Sequence, residues 1–131
     1  MTKALQNKLI SSAKTARKNA HAPYSNFAVG AAVLCENGKI FSGVNVENAS
    51  FGLTICAERS AIFSAVSAGC RRIEAIAIVA EGGAYPCGAC RQVIAEFADD
   101  NAEILIVNAK GGLVAKTTLG ELLPNAFRLM R

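Results

Sequence analysis

Two apolar, helix-like runs in this chain open on cysteines, and that shared oddity constrains the fold more than any other feature. Ile55 to Gly69 reads ICAERSAIFSAVSAG, and Tyr85 to Phe97 reads YPCGACRQVIAEF. Each run places its thiols at a helix start, where unpaired backbone N–H groups favour negative charge. A core has no use for Cys56, Glu58 and Arg59 at the head of a buried helix. Three thiolates from Cys56, Cys87 and Cys90 suit a tetrahedral zinc ion with its fourth position left for water. The chain must then bring two separate helix starts to one point.

The flanking elements show how it can do so. Leu5, Leu9, Ala13, Ala16 and Ala20 recur at three- and four-residue steps, which predicts an amphipathic first helix ending before Pro23. An apolar run from Phe27 to Cys35 leads into ENGK, where Asn37-Gly38 signals a tight turn, and IFSGVNVEN returns as the partner strand. EAIAIVA (74–80) and EILIVNA (103–109) are short β-rich runs that read as interior strands. LVAKT (113–117) follows after KGG, a link too short for a parallel crossover, so it should run antiparallel to its predecessor. Thr118 with Glu121 offers a capping box for a short last helix that Pro124 ends. The order predicts one α/β domain spanning 1–131, with a mixed sheet of about five strands flanked by helices.

Bulk properties narrow the function. With 131 residues, 52% hydrophobic and 18% charged, the chain can build one core, and no run approaches the roughly 20 apolar residues of a membrane span. The N-terminus lacks an unbroken apolar segment, so a soluble, cytoplasmic protein is expected. Five cysteines are an odd count for a disulfide framework, which favours metal or thiol chemistry. Cys35 and Cys70 are expected to be free, buried and inert. The net charge of +4 comes largely from Lys3, Lys8, Lys14, Arg17 and Lys18, expected as a solvated helix face and not a nucleic-acid patch. His21, the one histidine, should be a helix-end or loop residue.

Glu58 stands two residues after Cys56, where a first-turn side chain can face a metal lying off the helix end. A carboxylate there can take a proton from water and hand it to a ring nitrogen and a leaving amine. Arg59, three residues after Cys56, can offset the negative charge of three thiolates. Along an extended strand Asn45 and Glu47 project to one side, where they can pair with sugar hydroxyls. Cys87-Gly-Ala-Cys90 alone also fits a redox pair, or half of a four-cysteine structural zinc site, although no cysteine or histidine near Cys56 supplies a fourth ligand. The spacing of C-A-E and P-C-x-x-C, with Cys87 31 positions after Cys56, matches the zinc deaminase signature.

The segments APYSNFAVGAAV, GVNVENASFG, ICAERSAIF and PCGACRQVIAEF occur in that order and cover most of 22–97. With them the chain resembles the small, free-nucleoside cytidine deaminases. The resemblance implies a three-layer α/β/α sandwich and one zinc ion per subunit on Cys56, Cys87 and Cys90, with Glu58 as proton shuttle. It further implies that Asn45 and Glu47 contact ribose, that Phe27 packs on the pyrimidine, and that Ala57 belongs to the substrate site. A homotetramer with shared active sites would follow, with Phe127 reaching a neighbouring site and Phe51 at an interface. The activity implied is zinc-dependent hydrolysis of cytidine and deoxycytidine to uridine and deoxyuridine with release of ammonia, in pyrimidine salvage. Its partner is a small nucleoside, not nucleic acid or membrane.

The chain departs from the family pattern at Tyr85, where a small residue is more usual, and in its FRLMR tail. Deamination of cytosine-nucleoside antibiotics such as blasticidin S is the nearest alternative, with Glu47 as the discriminating residue. A structural zinc protein that binds nucleic acid and a thiol oxidoreductase are the alternatives from other classes.

Overall fold

A computed structural model describes residues 1–129. Helix α1 (Lys3–Arg17) is followed by β1 (Val29–Cys35), β2 (Ile40–Val44), α2 (Ala57–Ser67), β3 (Ile73–Ala80), α3 (Gly88–Phe97), β4 (Glu103–Val107), β5 (Leu113–Thr118) and α4 (Leu119–Leu122). The five strands form one sheet in the order β2-β1-β3-β4-β5. β3 and β4 are parallel, joined through α3, and every other neighbouring pair is antiparallel.

Local sequence accounts for most boundaries. Thr2 caps α1 by accepting the Leu5 N–H at 3.1 Å, and Lys14 and Arg17 in the last turn suit the negative end of the helix dipole. The helix stops at Arg17, so Ala20 lies beyond it. Gly38, at a φ of +86°, makes the hairpin turn that pairs Leu34 with Ile40. Regular pairing in β2 ends at Val44, short of the expected strand, yet the alternation continues, with Asn45 and Glu47 buried and Val46 exposed. A single 3-10 turn at Phe51–Leu53, unannounced by the sequence pattern, precedes α2. Thr118 caps α4 by accepting the Glu121 N–H at 3.3 Å, while its hydroxyl donates to the Glu121 carboxylate at 3.1 Å.

The sheet is covered on both faces, which is why all seven residues of β1 are buried. On one side Leu9 and Ala13 of α1 pack on Ala32, Leu34, Ala77, Val79 and Leu105. On the other, Ala61, Ile62 and Ala65 of α2 and Ile94 of α3 pack on Val33, Ile76, Ile78 and Ile104. This is the expected three-layer α/β/α arrangement. Two glycines allow the close approach of the layers. A Cβ at Gly30 would meet the Ala13 carbonyl oxygen at 2.2 Å, and one at Gly43 would meet the Ala61 nitrogen at 2.3 Å.

One expectation is overturned. Cys35 and Cys70 are not free thiols but are joined by a disulfide. Gly69, at a φ of +99°, turns the chain after α2 and brings Cys70 beside the end of β1, with the two Cα atoms 6.2 Å apart. A separation of 35 residues hides that proximity in the sequence.

Candidate active site

Cys56 and Cys87 occupy the N-cap positions of α2 and α3, and neither side chain caps its helix. Both sulfurs are therefore left to face each other, 4.0 Å apart. Cys90, one turn into α3, is buried, and the three Sγ atoms all lie within 4.8 Å of one another. Soft sulfur donors at this spacing fit zinc. The Cys56 thiol is held down to about 5, first because the Cys90 thiol donates to it and then, against the opposing effect of its burial, because the Arg59 guanidinium lies beside it. Cys90 is correspondingly pushed up as that donor and by its burial. A thiolate is thus already favoured at the point where a cation would bind.

Arg59 Nη2 donates to Cys56 Sγ at 3.2 Å. Its Nε is buried without a hydrogen-bond partner. Glu58, in the first turn of α2, is only 5% exposed. Burial pushes its carboxyl up, and the neighbouring Cys56 charge adds to that effect. A buried carboxyl with a raised pKa holds a proton more readily than a free one, which suits it to accept and return one.

Glu58 opens, together with Cys56, Ala57 and Cys87, on a cavity of about 260 Å3. Phe27, Asn45 and Glu47 line the same cavity. The segment before β1 and the segment after β2 therefore meet two helix starts at one cavity. Phe127 does not line the cavity of its own chain; it is 68% exposed, and its carbonyl accepts from Gln92 Nε2 at 2.9 Å. The His21 carbonyl accepts the Glu47 N–H at 2.8 Å, which fixes the Glu47 backbone, and among the described residues the His21 side chain is not part of the thiol group.

Asn45 and Glu47 have a duty that strand alternation did not reveal. Asn45 Oδ1 accepts the Val29 N–H at 2.9 Å and its Nδ2 donates to the Phe27 carbonyl at 2.8 Å. Glu47 Oε1 accepts the N–H groups of Tyr24 and Ser25, while Oε2 accepts the Ser25 hydroxyl. These bonds, led by the Ser25 hydroxyl, hold the Glu47 carboxyl below the usual range. Together the two side chains fasten the segment carrying Phe27. Ser25 also lines the cavity and was missed, although it stands within APYSNFAVG. Tyr85 lines it too, half exposed at the rim.

Three thiols at one point beside a buried carboxyl, two of them opening with it on a cavity of about 260 Å3, are the donor set and proton acceptor that a metal-assisted hydrolytic deaminase requires. Residues 3–106 match the model of the cytidine and deoxycytidylate deaminase zinc-binding region. Over 122 residues the chain is 52% identical to a cytidine deaminase of Sporosarcina psychrophila, covering 92% of this chain and 89% of that one. The crystal structure of a Burkholderia pseudomallei cytidine deaminase superposes with a TM-score of 0.87 at 51% identity, covering 97% of this chain and all of the other. A blasticidin-S deaminase of Bacillus cereus is 36% identical over 106 residues, 73% of this chain and 74% of its own length. The chain belongs to the cytidine and deoxycytidylate deaminase family. The chemistry of that family is zinc-dependent hydrolytic deamination, and the Cys56, Cys87 and Cys90 group provides for one metal ion.

Proposed function

We propose that the protein hydrolyses cytidine and deoxycytidine to uridine and deoxyuridine, releasing ammonia, as a step of pyrimidine salvage. The observation that carries this is Glu58, buried with a raised carboxyl pKa beside the three-thiol cluster in a cavity of about 260 Å3. A zinc ion held by Cys56, Cys87 and Cys90 would supply a polarised water at neutral pH. Glu58 takes one proton as the water oxygen bonds to C4 of the pyrimidine, and delivers it to the ring nitrogen N3. It then carries the second proton to the 4-amino group, which leaves as ammonia. Arg59 offsets the charge of the thiolates so that the site does not oppose loss of those protons.

Phe27 offers its ring to the pyrimidine, and the backbone around Ala57 forms the floor beside it. Asn45 and Glu47 retain hydrogen-bonding capacity for the ribose while bracing the Phe27 segment. Exposed Phe51, which meets the Tyr24 ring edge-on at 5.3 Å, and exposed Leu53 and Phe127 support assembly into a homotetramer with shared sites. The proposed setting is cytoplasmic, with residues 1–131 acting as one domain on a free nucleoside, without nucleic acid or membrane. Among the described residues no helix is long and apolar enough to cross a membrane.

The test follows cytidine's ultraviolet absorbance with purified protein, beside Glu58→Gln and with adenosine as a competing base. Conversion of cytidine alone, reduced by about 10²–10⁴-fold in the variant, is expected for a lost general acid–base group. Undiminished turnover by Glu58→Gln would refute the shuttle. Turnover of a cytosine-nucleoside antibiotic in place of cytidine would reassign the substrate.

A further inference from the structure

Arg91 follows the second thiol of the Cys87–Cys90 pair, yet its side chain seeks no carboxylate. Among the described residues it forms no ion pair. Its Nε donates to the Pro86 carbonyl at 2.7 Å and its Nη1 to the Leu122 carbonyl at 2.8 Å. Its backbone N–H donates to the Cys87 carbonyl at 2.9 Å as α3 begins. One residue therefore grips the carbonyls on both sides of the Cys87 Cα.

Cys87 needs that grip more than the other two thiols. It is the exposed member of the three, whereas Cys90 is buried within α3 and Cys56 is half-buried under Arg59. The loop that delivers it, residues 81–86, contains no helix or strand. Gly82 and Gly83 both have positive φ, and a turn bond from the Gly83 N–H to the Ala80 carbonyl lies at the far end of the loop. Pro86 has no N–H with which to anchor itself. A planar guanidinium can serve two carbonyls at a fixed angle, which a lysine ammonium cannot.

We propose that Arg91 is a positioning residue that sets the Cys87 thiol against those of Cys56 and Cys90. Its second bond, to the carbonyl of Leu122 at the end of α4, fixes the plane of the guanidinium that holds Pro86. The proposal rests on the assignment of the three cysteines as zinc ligands. A metal site whose ligands are held by outer hydrogen bonds typically loses about 10–100-fold in affinity when such a bond is removed.

The experiment measures zinc release from the loaded, purified protein to a chromophoric chelator. Arg91→Gln, Arg91→Lys and Arg128→Gln are compared with the parent, each checked for folding by circular dichroism. Arg128 binds the carbonyls of Ala95 and Ala98 and the Asp100 carboxylate, so its replacement loosens the same tail without touching Pro86. Zinc should leave both Arg91 variants about 10–100-fold faster, while Arg128→Gln keeps the parent's rate. If Arg91→Gln does not fold, Arg91→Lys, which preserves the charge, decides alone. Parent-like release from the folded Arg91 variants overturns the proposal and leaves the ligand assignment standing. Equal acceleration in Arg128→Gln also overturns it, because tail docking in general would then set the rate. A parent that holds no zinc, or holds it equally well as Cys56→Ala, removes the ligand assignment and the proposal together.

Discussion

Gly43 tests how tightly the chemistry depends on the contact between α2 and the sheet. It lies on β2 beneath the first turn of α2, where an added Cβ would sit 2.3 Å from the Ala61 nitrogen and 2.7 Å from the Ser60 carbonyl carbon. Ordinary contact begins near 3.4 Å, so Gly43→Ala requires a separation of about 1.1 Å against backbone that cannot rotate away. The first turn of a helix moves largely as a unit, and Cys56, Glu58 and Arg59 all belong to it. Overpacking of this kind costs about 1–3 kcal/mol of stability. Misplacing reacting groups by about 1 Å costs about 10²-fold in rate.

The expected result is a kcat/KM for cytidine about 10²-fold lower, measured well below the variant's unfolding transition. Gly30→Ala supplies the comparison, since its Cβ would meet the Ala13 carbonyl oxygen at 2.2 Å and the Arg17 nitrogen at 2.7 Å on the opposite face. It strains α1, which carries no residue of the site, so stability should fall comparably while kcat/KM stays near the parent's. Parent-like activity in Gly43→Ala, or an equal activity loss in Gly30→Ala, would refute the claim that sheet contact aligns the catalytic turn.

Two further outcomes follow from the burial and cross-linking of the chain. Because burial raises the Glu58 carboxyl, the folded metal-free protein holds that proton more tightly than the unfolded chain, and the group's stability contribution falls as pH rises from the unfolded value through the folded one. Glu58→Gln should therefore gain stability over the parent as pH rises across that window in urea titrations; a difference independent of pH contradicts the assignment. The Cys35–Cys70 disulfide closes a loop across a separation of 35 residues, for which chain entropy predicts roughly 4 kcal/mol of stabilisation. Unreduced, denatured, metal-free protein should alkylate at three of its five cysteines, and a phosphine reductant should lower the melting temperature. Alkylation at all five would remove the cross-link.

Local and periodic features carried much of the architecture. Asn37-Gly38 specified the hairpin, the short KGG link forced β5 to run antiparallel to β4, and Thr118 with Glu121 marked the last helix start. The metal cluster was equally legible, because sulfur donors at helix starts have little structural use and Cys56, Cys87 and Cys90 stand at such starts. Alternation correctly put Asn45 and Glu47 on one side, even though strand pairing stops before them.

Contacts between distant segments had no such local trace. Alternation could not show that Asn45 and Glu47 are committed to holding residues 24–29, since those partners come from the far side of a hairpin. The same is true of the disulfide, which needs both the end of β1 and the turn after α2 to be in place. Nothing within a few residues of Arg91 points to Leu122, and only the folding of α4 onto α3 gives its guanidinium a second carbonyl. Sequence by itself determined which thiols stand at helix starts and which elements carry the candidate site, because helix starts, turns and side-chain alternation are set within a few residues. Tertiary structure alone decided how firmly those groups are held, because the partners that hold them become neighbours only after the sheet and its two helical layers have closed.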